Sequence, residues 1–273
     1  MAKIFNEKYY TPRNVVLKVI ELIKNEIQDI NLFDRIIELS SGGGAFLKEL
    51  PKHALGYDIE PHYDNGNVTK CNYLEVNLPY LKNSIVIGNP PFDDGSGSNN
   101  LHIKFIEKSL KHSDYVVFVL PIDFFKKDNL KSAELIKSYK LPEVKYSGVK
   151  LKTCINFYKK RTKPLIKKEI KGVIIEMFRK TKNTTKNDEI IWQNKKCDYR
   201  IIGFGSLRLL QKREEVKCKE IKITFIHKKV NFKPYLEKFL KYIKGNSIST
   251  GNISKQNIID YIYDNFPEFR KDN

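Results

Sequence analysis

Through its first 160 residues the chain alternates short apolar runs with amphipathic stretches, and this alternation narrows the possible folds more than any single motif. The apolar pairs Val15-Val16, Val19-Ile20 and Leu22-Ile23 recur at helical spacing. Residues 35–39, 54–59, 84–88 and 115–120 are β-like runs, and a helical pattern over 101–110 lies between the last two. Strands alternating with helices predict βαβ units and an α/β fold built on a mostly parallel, doubly wound sheet. Such sheets place ligands outside the C-terminal ends of their strands, so the chemistry is sought there.

Beyond about residue 164 the alternation weakens. Strand-like pieces at 172–178, 201–204 and 221–226 are followed by helix candidates at 234–243 and 254–265, the second with Ser254 as a plausible N-cap. The chain is therefore expected to divide into a domain over 1–163 and a smaller α+β domain over 164–273. Residues 93–100 and 181–187 are low-complexity polar stretches, expected to form a loop and a surface turn or linker tip. Charge follows the same division. Of the formal net charge of +18, residues 1–160 carry +4 and residues 161–273 carry +14. Positive potential concentrated in one part of a chain is the footprint of a polyanion-binding module. A lysine-rich base composition accounts for part of the excess, but not for its uneven placement.

The four cysteines, Cys71, Cys154, Cys197 and Cys218, never form C-x-x-C, so neither a disulfide scaffold nor a zinc site is expected, and no metal is assigned. The longest apolar run, 115–122, is far short of the roughly 20 residues of a membrane span, and no signal sequence is read at the start. A soluble cytoplasmic protein, of a prokaryotic or a virus-infected cell, is expected.

Three motifs carry the chemistry. In the first, Ile36-Ile37-Glu38-Leu39 runs into Ser40-Ser41-Gly42-Gly43-Gly44-Ala45-Phe46, a strand followed by a glycine turn and an expected helix whose N-terminus offers unpaired N–H groups. It lacks the lysine of a phosphate-binding loop and does not complete G-x-G-x-x-G, which points away from a nucleoside triphosphate or NAD. The second is Gly56-Tyr57-Asp58-Ile59-Glu60, a strand ending in acids, where Asp58 is placed to accept hydrogen bonds from ribose hydroxyls. The third is Ile85-Val86-Ile87-Gly88-Asn89-Pro90-Pro91-Phe92. Its prolines end the strand in a rigid extended turn. The Asn89 side chain and the Pro90 carbonyl can then present two acceptors, with Phe92 as an aromatic face, to a planar group carrying an amino nitrogen.

In this combination the chain resembles the S-adenosylmethionine-dependent N6-adenine DNA methyltransferases of the gamma class, over about residues 8–160. The resemblance implies a Rossmann-like methyltransferase fold. Tyr9-Tyr10-Thr11-Pro12 resembles the family's Thr-Pro segment, so Tyr10, Thr11 and Pro12 would meet the methionine part of the cofactor. Glu38, Ser40, Gly42 and Gly44 resemble its acid and glycine loop, and Asp58 with Ile59 its ribose-binding strand end. Asn72-Tyr73-Leu74 resembles the family's Asp-Phe-Leu at the adenine pocket, with Asn72 in place of the acid. Leu39 and Ser41 stand where proline and alanine are common. Asn89, Pro90, Pro91 and Phe92 match the catalytic tetrapeptide, and Asn89 also adjoins the cofactor.

Under this resemblance the substrate is duplex DNA with one adenine flipped out, stacked on Phe92 and on Tyr146, which otherwise reads as a tyrosine on an amphipathic surface. The basic residues 164–273 would form the target-recognition domain. Arg200 and Arg208, around a Gly-Phe-Gly-Ser turn, are its candidate DNA contacts, solvated surface charge being the alternative. A companion restriction endonuclease is a possible partner. A fused one is not expected, because the Glu-x-Lys triplets at Glu143, Glu169, Glu215 and Glu220 lack a Pro-Asp context. Two other readings stay open: methylation of an RNA adenine, and an inactive methyltransferase fold that binds nucleic acid.

Overall fold

The computed structural model describes residues 10–91, 101–165, 168–205, 207–211, 214, 219–226, 231–245 and 253–271. The helical spacing near the start becomes α1 (Arg13–Glu26), which buries Val15, Val16, Val19, Leu22 and Ile23 along one face. Pro12 precedes it; its carbonyl accepts from the Val15 and Val16 N–H groups at 2.9 and 3.2 Å. The chain falls into two units, Met1–Leu165 and Ile166–Asn273.

The first unit is built on β1 (Arg35–Glu38), β2 (Leu55–Asp58), β3 (Val68–Lys70), β4 (Ser84–Gly88), β5 (Tyr115–Pro121), β6 (Ala133–Lys140) and β9 (Thr153–Lys160), with α2 (Leu101–Ser109) between β4 and β5. Their order in the sheet is β3-β2-β1-β4-β5-β9-β6. The pairs from β3 through β5 are parallel, and β9 runs antiparallel to both β5 and β6. Successive strand residues feed opposite faces. Ile36, Ile85, Ile87, Val117 and Val119 pack with α1, whereas Ile37, Val86, Val116, Phe118 and Leu120 pack with Phe105 and Ile106 of α2. Burial on both faces is why these strands read as continuous apolar runs. The result is the mostly parallel, doubly wound sheet that the alternation predicts.

The strand order reverses between β1 and β4, where the path leads outward to β2 and β3 on one side and to β5 on the other. This is a topological switch point, the crevice in which such sheets hold ligands. A two-stranded hairpin, β7 (Val144–Tyr146) and β8 (Val149–Leu151), joins β6 to β9. It turns at Ser147 and Gly148, both at positive φ (47° and 86°), as a tight two-residue hairpin turn demands.

The second unit has an antiparallel sheet in the order β10-β12-β11, from β10 (Val173–Arg179), β11 (Tyr199–Ile202) and β12 (Lys219–Phe225). Its core joins Ile175, Ile201, Ile221 and Ile223 to Leu236, Phe239 and Leu240 of α4 (Lys233–Gly245) and to Ile258 and Ile262 of α5 (Lys255–Asn265). Ser254 caps α5 in a reciprocal capping box with Asn257. The expected surface turn forms at Lys182 and Asn183, where Thr184 N–H donates to the Thr181 carbonyl at 3.2 Å, and it leads into a helix, α3 (Lys186–Asn194). Thr185 and Asp188 form a second capping box, and Trp192 anchors the helix to the unit.

Candidate active site

Three strand ends converge at the switch point. β1 delivers the glycine turn, β2 delivers Asp58 and β4 delivers Asn89. The turn is bound to β2 by Ser41 N–H donating to the Tyr57 carbonyl at 2.9 Å and by Gly42 N–H donating to Asp58 Oδ2 at 2.7 Å. Asp58 Oδ1 accepts from Glu60 N–H at 2.8 Å. The turn is bound to β4 by the Ser40 hydroxyl, which donates to the Asn89 carbonyl at 3.1 Å. Asn89 and Pro91 are half-buried and Pro90 is buried. Phe92 lies outside the described residues.

The helix expected after the glycine turn is replaced by a single 3-10 turn, Leu47–Glu49. The N–H groups that a helix start would leave open are taken by Glu38, whose Oε2 accepts from Leu47 N–H at 2.9 Å, with Phe46 N–H a second donor. Glu38 is only 2% exposed, and that burial pushes its carboxyl well above the usual carboxylate range.

The glycines answer to the protein's own side chains. Gly42 and Gly44 have φ of 45° and 71°, where a side chain is strained. A Cβ on Gly43 would come within 2.9 Å of the Tyr10 ring, and one on Gly44 within 2.1 Å of the Tyr63 ring. Two tyrosines thus flank the turn. Sequence reasoning missed Tyr63, which no pattern around the turn announces. The Tyr10 segment runs alongside: Tyr10 N–H donates to Ser147 Oγ at 2.9 Å, Thr11 is buried, and Arg13, just after Pro12, pairs with Glu49 at 2.6 Å.

At the position expected to form the adenine pocket, the Asn72 amide oxygen caps the 3-10 turn Tyr73–Glu75 by accepting from Leu74 N–H, its Nδ2 donates to Glu75, and the oxygen keeps a second lone pair. Tyr73 is 2% exposed, its ring stacked on Phe105 and its hydroxyl bonded to Ser109 and His112. It supports the strand ends from inside the core. Tyr146 is likewise a core residue, 1% exposed, with its hydroxyl bonded to Thr153 Oγ1 at 2.8 Å, so its ring is not presented to a base.

The donor set nevertheless fits S-adenosylmethionine. Asp58 uses one lone pair on each oxygen for backbone donors and keeps others for hydroxyls. Ile59 beside it is 61% exposed, an apolar surface at the end of β2. Among the described residues no group of His, Cys, Asp or Glu could hold a metal ion, and no helix is long and apolar enough to cross a membrane.

In the second unit Arg200 is built in. It makes a two-pronged pair with the fully buried Glu220 (2.6 and 3.2 Å) and donates to the Gln211 and Glu214 carbonyls. Glu220 also accepts from Trp192 Nε1 at 3.0 Å, while Lys222 donates to the Trp192 and Lys195 carbonyls at the end of α3. This network withdraws Arg200 from DNA contact and gives the Glu220–Lys222 triplet a packing role. Arg208 is exposed and pairs with Glu214, whose carboxyl it holds down at about 2.

No family model matches the chain, and no curated protein matches it. Among solved structures it is similar to a protein of Pyrococcus horikoshii provisionally called an RNA methyltransferase, with 19% identity over 59% of this chain and 91% of that one, at a TM-score of 0.45. It is similar to the M protein of the type I restriction enzyme EcoKI, with 19% identity, 58% and 45% coverage and a TM-score of 0.41. A type I restriction-modification methyltransferase subunit from Streptococcus thermophilus gives 15% identity, 57% and 46% coverage and a TM-score of 0.42. In the last two the match spans less than half of the other chain.

Proposed function

We propose that the chain is a site-specific DNA adenine-N6 methyltransferase using S-adenosylmethionine. The observation that carries this reading is the junction of Ser40 with Asn89, which joins the glycine turn to the Asn-Pro-Pro turn across the switch point. The cofactor, when bound, supplies an activated methyl on a sulfonium, so that transfer leaves the electron pair on sulfur. Asp58, the glycine turn and the Tyr10 segment would hold it.

The amino group of adenine is a poor nucleophile because its lone pair is delocalised into the ring. Asn89 Oδ1 and the Pro90 carbonyl accept its two N–H bonds, favour a pyramidal nitrogen and spread the positive charge that grows during attack, a stabilisation made mainly in the transition state. One amino proton then leaves to solvent. The rigid prolines fix both acceptors, and positioning supplies much of the rest. An adenine inside a duplex hides this nitrogen, so the base rotates out before reaction.

The test is to incubate the protein with methyl-labelled S-adenosylmethionine and duplex DNA, RNA or protein extract, then digest and identify the product. N6-methyladenine in DNA, lost in Asn89→Ala, is expected. Label confined to RNA or protein overturns the substrate, and DNA binding with no cofactor binding by calorimetry overturns the activity.

A further inference from the structure

We propose that the β7–β8 hairpin is a phosphate-gripping arm of the first unit that holds the backbone of duplex DNA beside the site; the inference rests on the substrate reading above. The hairpin register sets Lys145 directly opposite Lys150, and both are exposed. Like charges directly opposed across a ladder destabilise it. Among the described residues neither lysine forms an ion pair, although Glu143 lies next to β7. Two cations held together without a counter-charge work against the fold and favour a polyanion.

An isolated two-stranded hairpin is marginal at best. This one is fastened at three points. Tyr146 is buried and bonded to Thr153, Ile122 N–H donates to the Lys152 carbonyl at 3.0 Å, and Ser147 Oγ accepts from Tyr10 N–H. The last bond ties its tip to the residue whose ring lies against Gly43. Its base is equally well placed. Thr153 opens β9 opposite Pro121, at the C-terminal end of β5, and β5 is the neighbour of β4, which ends at Gly88, just before Asn89. Lys126 and Lys127, followed by Asp128, are exposed in the loop after β5. The opposed lysines therefore stand on the side of the sheet where the three strand ends converge.

The experiment measures affinity for a duplex oligonucleotide between about 50 and 200 mM salt. Each phosphate contact releases about 0.9 counterion, so Lys145→Ala/Lys150→Ala should lose about tenfold less affinity than the wild type over that range. Lys145→Arg/Lys150→Arg should keep the wild-type slope. In Lys145→Glu the opposed pair becomes attractive, so hairpin amide exchange should slow while DNA affinity falls; a purely structural hairpin would leave DNA affinity unchanged. A wild type that binds and methylates duplex DNA, with an alanine double variant of unchanged slope, overturns the hairpin inference alone. A wild type that binds no duplex DNA overturns it together with the substrate reading.

Discussion

The Ser40 hydroxyl donates to the Asn89 carbonyl at 3.1 Å, joining two turns 49 residues apart in the chain. Removing it in Ser40→Ala should cost about 0.5–1.5 kcal/mol of stability, the usual net worth of one such bond. Its larger effect should fall on methyl transfer, because Asn89 loses a restraint while the Asp58 contacts to the turn remain. A lower kcat with an almost unchanged KM for S-adenosylmethionine is expected. Equal loss in both would mean that the bond serves the cofactor alone.

Glu38 makes a prediction in pH. Burial raises its folded pKa above the unfolded value, so its contribution to stability falls as pH rises from the unfolded pKa through the folded one. Glu38→Gln keeps an acceptor for Leu47 N–H and has nothing to ionise. Thermal melts from about pH 4 to 9 should show the glutamine variant gaining on the wild type as pH increases. Glu38→Ala should melt well below both, since it strands buried N–H groups.

His112 predicts the acid limb. Its burial beside the Tyr73 hydroxyl, 2.6 Å away, lowers it from 6.5 to about 4. The unfolded chain then binds the extra proton first, so stability is complete above 6.5 and declines as pH falls toward 4, by at most about 3 kcal/mol. Denaturant melts of His112→Gln should lack that decline. An identical acid limb in both proteins would place the titration elsewhere.

Gly44→Ala combines a strained φ with a clash, since its Cβ would lie 2.1 Å from a Tyr63 ring carbon and 2.8 Å from the Tyr63 Cβ. A loss of at least about 1–3 kcal/mol is expected from the backbone alone. Adding Tyr63→Ala removes the ring contacts and should recover part of the loss, while the 2.8 Å contact to the residue 63 Cβ and the backbone strain remain. No recovery in the double variant would show that the ring is not what the glycine accommodates.

The two arginines of the second unit should part company. Arg200→Ala leaves Glu220 buried beside Trp192 alone and should cost about 3–5 kcal/mol, the range for breaking a buried pair from one side. Arg208→Ala removes an exposed pair and should leave Tm almost unmoved. If Arg208 touches phosphate, its loss will instead appear in the salt dependence of DNA binding.

Parts of this architecture could be read from the chain and parts could not, for physical reasons. β4 and β5 were legible because both their faces are buried, which leaves unbroken Val and Ile runs. β6, Ala-Glu-Leu-Ile-Lys-Ser-Tyr-Lys, was not: it is a sheet edge with half-exposed positions, and its composition suits a loop equally well. The glycine turn, Asp58 and Asn89 were legible as motifs, because their backbone geometry demands particular residue types. Long-range partners were not. Tyr63 against Gly44, His112 under Tyr73 and Glu220 across from Arg200 join positions 19, 39 and 20 residues apart with no local pattern to announce them. Tyr146 was misplaced because alternation along a three-residue strand cannot tell a ring facing the core from one facing a ligand.

The glycine turn is held by Ser41 to Tyr57, Gly42 to Asp58 and His62 N–H to the Gly42 carbonyl, all bonds within the protein. Its shape is therefore settled when the chain folds. An arriving ligand has little loop ordering to do, so association should run at the rate of rigid docking, and differences in affinity among ligands should appear in how slowly they leave. Loosening the turn would act differently: it lowers the fraction of molecules ready to bind and weakens every ligand by the same factor.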